Sequence, residues 1–228
     1  LYNKGLDYRL IAIPVWGTLY LFGSDTSITR WEDLRNKRVY TMARGMTPDV
    51  LFRYLLQENG IRPGNDITLD YSFPTHIDLA NAVAAGQAEL AVISEPLVSL
   101  VMHRNSQVRP IFDLNREWDR RQGIPMAQTA FSGSAEVMKH TRRVEQLISA
   151  YERSTRWVNQ NPDSAAALIV KHGILPDAEV ARQSIPRSNL HFVRAGTIQS
   201  QIREYLEVFY HMNPDIIGGK IPDEDFFY

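Results

Sequence analysis

The chain has 228 residues and is 44% hydrophobic, enough for one large domain or two small ones. A net charge of -1, with basic and acidic residues interspersed, excludes bulk attraction to nucleic acid or an anionic membrane. The absence of cysteine excludes disulfides, thiolate metal sites and cysteine nucleophiles, and no apolar run approaches the roughly 18 residues of a membrane helix.

In chain order, Arg9 to Val15 (RLIAIPV) is an apolar run of strand length. Trp16-Gly17-Thr18 interrupts it, and Leu19 to Phe22 resumes extended. Ser27 to Asn36 reads as a short surface helix. Arg38 to Gly60 (RVYTMARGMTPDVLFRYLLQENG) then reads as strand, glycine turn and helix. Val39, Tyr40 and Thr41 favour an extended segment, and Gly45 permits positive φ. Thr47 is the predicted N-cap, Pro48 suits the first helical position and Asp49 complements the positive helix end. Val50, Leu51, Tyr54 and Leu55 share one helical stripe, and Gly60 stops the helix. Such a turn aims several unpaired backbone N–H groups at one spot, which attracts an anion or a carbonyl. A well-capped helix in a βα unit is the plainer reading of the same residues.

IRPGND is a turn, Ile67 to Tyr71 a strand, and Thr75 caps a helix whose apolar face is Leu79, Ala80, Val83 and Ala84. Glu89 to Ile93 is a buried-type strand, Pro96 starts the helix LVSLVMHR, and Val108 to Phe112 is a further strand. This β-α-β-α-β-α-β order predicts a parallel sheet with helices on both faces. Asn115 to Gln122 reads as a solvated helix and Met126 to Phe131 as a strand. Four helices follow: Thr141 to Asn159, with Val144, Leu147, Ile148, Tyr151 and Trp157 inward, then Asp163 to His172, Pro176 to Gln183 and Thr197 to Met212. This helical tail is short of strands to lie on.

The chain resembles the periplasmic solute-binding proteins of the nitrate, sulfonate and taurine class of ABC importers, with thiamine-pyrimidine-precursor-binding proteins as close relatives. The residues that carry the resemblance are NKG before RLIAIPV, ITRWEDLRNKRVYTMARGMTPDVLFRYLL, LANAVAAGQAELAVISEPLVSLV, MAQTAF and GGKIPDEDFFY. They span essentially the whole chain in family order. The resemblance implies a type II periplasmic-binding-protein fold: two α/β domains, each a mostly parallel sheet flanked by helices, joined by two crossing strands. Domain I would be residues 1–26 and 128–228, domain II residues 27–127, with hinges near Phe22 to Ser24 and Gln128 to Phe131. Family members open with a strand and a helix ahead of the segment matching NKG, and this chain is expected to lack that unit.

By resemblance the ligand would sit in the cleft outside the carboxyl ends of the strands. Trp16, Gly17 and Thr18 would form one wall. Arg44, Gly45, Met46 and Thr47 would offer N–H groups, a hydroxyl and a cation. Ser94 and Glu95, then Gln128 and Thr129, would complete the site. Each has a plainer role: Trp16 packing, Arg44 a solvated charge, Ser94 and Glu95 a cap and a dipole partner for the next helix, Gln128 and Thr129 hinge hydrogen bonds.

The six histidines, at 76, 103, 140, 172, 191 and 211, form no i, i+3 or i+4 pair, so no local metal pair is read. No P-loop, strand-linked G-x-G-x-x-G or nucleophile elbow occurs. The expected function is the extracytoplasmic binding component of an ABC importer, not an enzyme, capturing a small anionic solute without cofactor or metal. Its partners would be a permease and an ATPase, and it would be a monomer, periplasmic or membrane-anchored as a lipoprotein. A thiamine-pyrimidine-like ligand, an enzyme on the same scaffold of menaquinone-pathway type, and a LysR-type effector domain are the alternatives.

Overall fold

The computed structural model describes residues 1–42 and 44–228; Ala43, in the expected strand-to-helix turn, lies outside the described residues. In chain order the principal elements begin with β1 (Tyr8–Trp16), β2 (Leu19–Gly23), β3 (Arg38–Tyr40), α1 (Thr47–Glu58), β4 (Thr68–Asp70) and α2 (His76–Ala84). β5 (Leu90–Ser94), α3 (Leu97–Arg104), β6 (Arg109–Asp113), α4 (Leu114–Gln122) and β7 (Ala127–Ser134) follow. The chain ends with α5 (Ala135–Met138), α6 (Thr141–Gln160), α7 (Pro162–Lys171), α8 (Ala178–Arg187), β8 (Leu190–Arg194) and α9 (Gln199–Met212). It divides into two compact units: unit 1 is Leu1–Gly17 with Ile124–Tyr228, and unit 2 is Thr18–Gly123.

Unit 2 holds a five-stranded sheet in the order β4-β3-β5-β2-β6. β3 pairs parallel with β4 and β5, whereas β2 pairs antiparallel with both β5 and β6. All five residues of β2 are buried. Tyr20, Phe22, Ala91 and Ile93 pack with residues of α2 and α3. Period-two alternation sends Leu19, Leu21, Leu90 and Val92 to the other face, where α1 and α4 lie. The predicted division gave residues 19–26 to the first domain. Pairing of β2 with two strands of unit 2 places that segment in unit 2 instead.

Unit 1 holds three strands in the order β7-β1-β8, and both pairings are antiparallel. A mostly parallel sheet was expected in each domain; here β1 leads the chain out of unit 1 at Gly17 and β7 leads it back in after Ile124, and the two neighbours run in opposite senses. β8 was not foreseen in LHFVR, where only a weak alternation marks it. Leu10, Ile13, Ala195, Ile202 and Phe227 form one apolar cluster, and Ile11, Ala12, Val144 and Ile148 another.

Several local expectations change. The expected helix at 27–36 is a 3-10 turn, Trp31–Leu34. Of the predicted inward positions of α6, Val144 and Ile148 are buried, while Leu147, Tyr151 and Trp157 are exposed. Conversely α4, read as solvated, buries Trp118 completely.

Candidate functional site

In unit 2 the strand-to-helix turn is built as its residues dictate, with one shift. The N-cap of α1 is Met46, in extended conformation, rather than Thr47, and no side chain caps it. Thr47 and Pro48 open the helix, and Gly45 takes φ 81, a conformation that L side chains rarely adopt. Arg44, Gly45 and Met46 are exposed.

A carboxylate sits directly behind this turn. Asp49 is 1% exposed and folds back so that its Oδ2 accepts the Gly45 N–H at 2.7 Å. Its Oδ1 accepts from Arg53 Nε at 2.8 Å and from the Tyr71 hydroxyl at 2.6 Å. Arg53 Nη2 in turn donates to the Tyr71 oxygen at 2.6 Å. The Arg44 guanidinium lies 4.7 Å from the centre of the Tyr71 ring. Burial, and then donation to Asp49, push the Tyr71 phenol above its usual value, so it keeps its proton at neutral pH. Sequence reading saw Asp49 only as a dipole partner and did not single out Arg53 or Tyr71. Their signal was the i, i+4 spacing of Asp49 and Arg53, visible but common.

The other predicted residues of unit 2 have defined places. Thr18 is buried, and its carbonyl accepts the Glu95 N–H at 3.0 Å. Ser94 closes β5 opposite Leu19. Glu95 is buried with its carboxylate on the first turn of α3, accepting from the Ser99 N–H at 3.1 Å and the Ser99 hydroxyl at 3.0 Å. That is the dipole-partner role.

In unit 1, Trp16 lines a cavity of about 640 Å³ together with Pro125, Asn159, Ile185, Asn189 and His191. Three of its side-chain donors bond main chain: Trp16 Nε1 the His191 carbonyl at 2.7 Å, Asn159 Nδ2 the Leu190 carbonyl at 2.6 Å, Asn189 Nδ2 the Gly17 carbonyl at 2.5 Å. What the wall offers is therefore chiefly apolar surface and a flat indole face. Gly17 donates to the Met126 carbonyl at 2.8 Å. Gln128 and Thr129 lie on β7, Thr129 opposite Val15 and exposed, and the Gln128 Oε1 atom is buried without a hydrogen-bond partner among the described residues. Among the described residues no cluster of three His, Cys, Asp or Glu could hold a metal, and no helix is long and apolar enough to cross a membrane.

Residues 7–113 match the family model described as ABC transporter, phosphonate, periplasmic substrate-binding protein. The chain is similar to the substrate-binding components of ABC importers. Such components bind small ligands outside the cytoplasm and work with a permease and an ATPase. An ABC transporter crystal structure from Parabacteroides distasonis is 28% identical, with a TM-score of 0.85 over 100% of this chain and 76% of that one. The periplasmic aliphatic sulphonate-binding protein SsuA from Escherichia coli is 18% identical, with a TM-score of 0.72 over 99% of this chain and 73% of that one. The desulfurization enzyme DSZB, 16% identical, matches with a TM-score of 0.61 over 90% of this chain and 73% of that one, so enzymes also occur on this fold. No curated protein matches the sequence.

Proposed function

We propose that this chain captures a small anionic solute of the sulfonate, taurine or nitrate kind and makes or breaks no bond in doing so. The observation that carries the reading is the exposed Arg44-Gly45-Met46 turn at the start of a 12-residue helix, with a guanidinium beside it. A helix N-terminus and a cation both favour negative charge. The Asp49 carboxylate does not cancel that preference, because Arg53 is paired with it. Arg44, Gly45, Met46, Thr47 and Ser94 are the proposed contacts in unit 2, with Thr18 and Glu95, which share a backbone hydrogen bond, beside Ser94. Trp16, Gly17, Gln128 and Thr129 are those proposed in unit 1. The sulphonate-binding neighbour and the phosphonate-binding family description point to the same ligand chemistry.

Titration calorimetry of the intact chain with ethanesulfonate, taurine and nitrate tests this. Saturable binding that weakens with added salt is expected, and no heat with any of them refutes the anion reading. A second reading, a flat heterocycle of the aminopyrimidine kind, is favoured by the indole face on the unit 1 cavity. An aminopyrimidine that quenches Trp16 fluorescence while ethanesulfonate does not would decide for it.

A further inference from the structure

Among the described residues, the turn read above as the ligand-facing end of unit 2 has little side-chain support from Arg44, Gly45 and Met46 themselves. Its N-cap has no side-chain bond, and Gly45 is the most permissive residue type. What grips it is the Asp49 carboxylate on the Gly45 N–H, and that carboxylate is braced from the neighbouring βα connection by Tyr71. Tyr71 follows β4 directly, and β4 lies parallel to β3 with Tyr40 opposite Asp70. The β3–α1 and β4–α2 connections therefore leave adjacent parallel strands at their carboxyl ends, where open α/β sheets take ligands.

We infer that Tyr71 is a positioning residue, which fixes Arg44 and the Gly45 turn in the arrangement that meets an anion; this rests on the anion reading of that turn. The hydroxyl has one proton to give, and the Asp49 carboxylate takes it. It has lone pairs to offer, and Arg53 Nη2 uses one. With Arg53 Nε also on Asp49 Oδ1, the three side chains close a ring in which each polar group named has a partner of the right kind. The remaining carboxylate oxygen grips the Gly45 N–H, and the Tyr71 ring face carries the Arg44 guanidinium. One side chain thus sets both the backbone and the cation of the turn. The four side chains together carry two positive charges and one negative, so the arrangement keeps a cationic bias at its exposed edge.

Two measurements on the full chain test this. In ligand-free protein, Tyr71→Phe keeps the ring under Arg44 and removes the hydroxyl. Gly45 amide hydrogen exchange should speed up about tenfold, the scale of one lost charge-assisted bond, while the amides of β5 keep their rates. An unchanged Gly45 rate overturns the inference, as does an equal acceleration in β5, which would mark a general loss of stability. For affinity, the probe is ethanesulfonate with Tyr71→Leu, Arg44→Ala and the double variant. Tyr71→Leu should weaken binding about tenfold, and the loss in the double variant should fall short of the sum of the two single losses, because part of what Tyr71 contributes runs through Arg44. Fully additive losses overturn the inference. If the unaltered chain does not bind ethanesulfonate, the anion reading fails, and Gly45 exchange alone still decides the role of Tyr71.

Discussion

Units 1 and 2 solve the same packing problem with unequal means. Unit 2 has five strands, and two of its three inner strands, β5 and β2, are buried almost throughout. Four helices cover them, and among the described residues its only exposed large apolar side chains are Met46 and Ile77. Unit 1 has three strands, of which only β1 has a buried centre, and more helix than that sheet can cover. Leu147, Trp157 and Leu168, all on its helices, are exposed. An amphipathic helix buries its stripe only if a layer lies under it, so exposure here reports the size of the sheet and not the quality of the helix. The difference extends to the two candidate surfaces. In unit 2 a charged ring grips an exposed turn, whereas in unit 1 the Trp16, Asn159 and Asn189 side chains donate to main chain and the wall is chiefly apolar.

The same residue type placed in both units gives the strongest test. Trp118 is 0% exposed and Trp157 is 39% exposed. Trp118→Ala should cost about 3–5 kcal/mol, as large-to-small core substitutions do, and Trp157→Ala about 1 kcal/mol or less. Urea unfolding followed by circular dichroism measures both, and equal costs would break the contrast between the units. Next in size is Asp49→Ala, which leaves Arg53, Tyr71 and the Gly45 N–H without their shared acceptor. About 2 kcal/mol of stability should go, less than for a fully buried pair because Arg53 keeps some solvent contact. A loss within experimental error would show the ring to be ornamental to the fold.

The Thr75 cap of α2 should be worth about 1 kcal/mol, since its oxygen accepts the Asp78 N–H, and Thr75→Ala removes that bond. α6 in unit 1 has no side-chain cap at its start, so His140→Ala should leave stability almost unchanged. A small effect is also expected with pH. The hydrogen bond from Lys37 first, then those from Ser27, hold Asp25 at about 2 in the folded chain. A lowered carboxylate pKa gives stabilisation that is complete above the unfolded value of about 3.9 and is lost as pH falls toward 2. The pair is partly exposed, so a few tenths of a kcal/mol is expected, and Lys37→Met should flatten that portion of the acid profile.

The order of elements in unit 2 and the β3–turn–α1 unit were legible because they rest on local signals: hydrophobic period, Gly45, Pro48 and the Thr75 cap. The Arg44 to Thr47 turn was located from the same signals. What surrounds it was not, because Tyr71 reaches Asp49 across 22 positions of chain, and no local period encodes such a meeting. Trp118 likewise looked like part of a solvated helix because only one face of α4 is apolar and its neighbours are charged.

Sequence alone determined the order of strands and helices in unit 2, the glycine demanded at the β3–α1 turn, and that the chain resembles a solute-binding component. Tertiary structure alone decided the strand order, with β2 running against its neighbours, the antiparallel sheet of unit 1, and the partners of Asp49. The reason is one of range. Backbone propensity and capping act within a few residues, while strand pairing and buried polar networks are chosen among segments far apart in the chain, by which surfaces can be buried and which donors matched together.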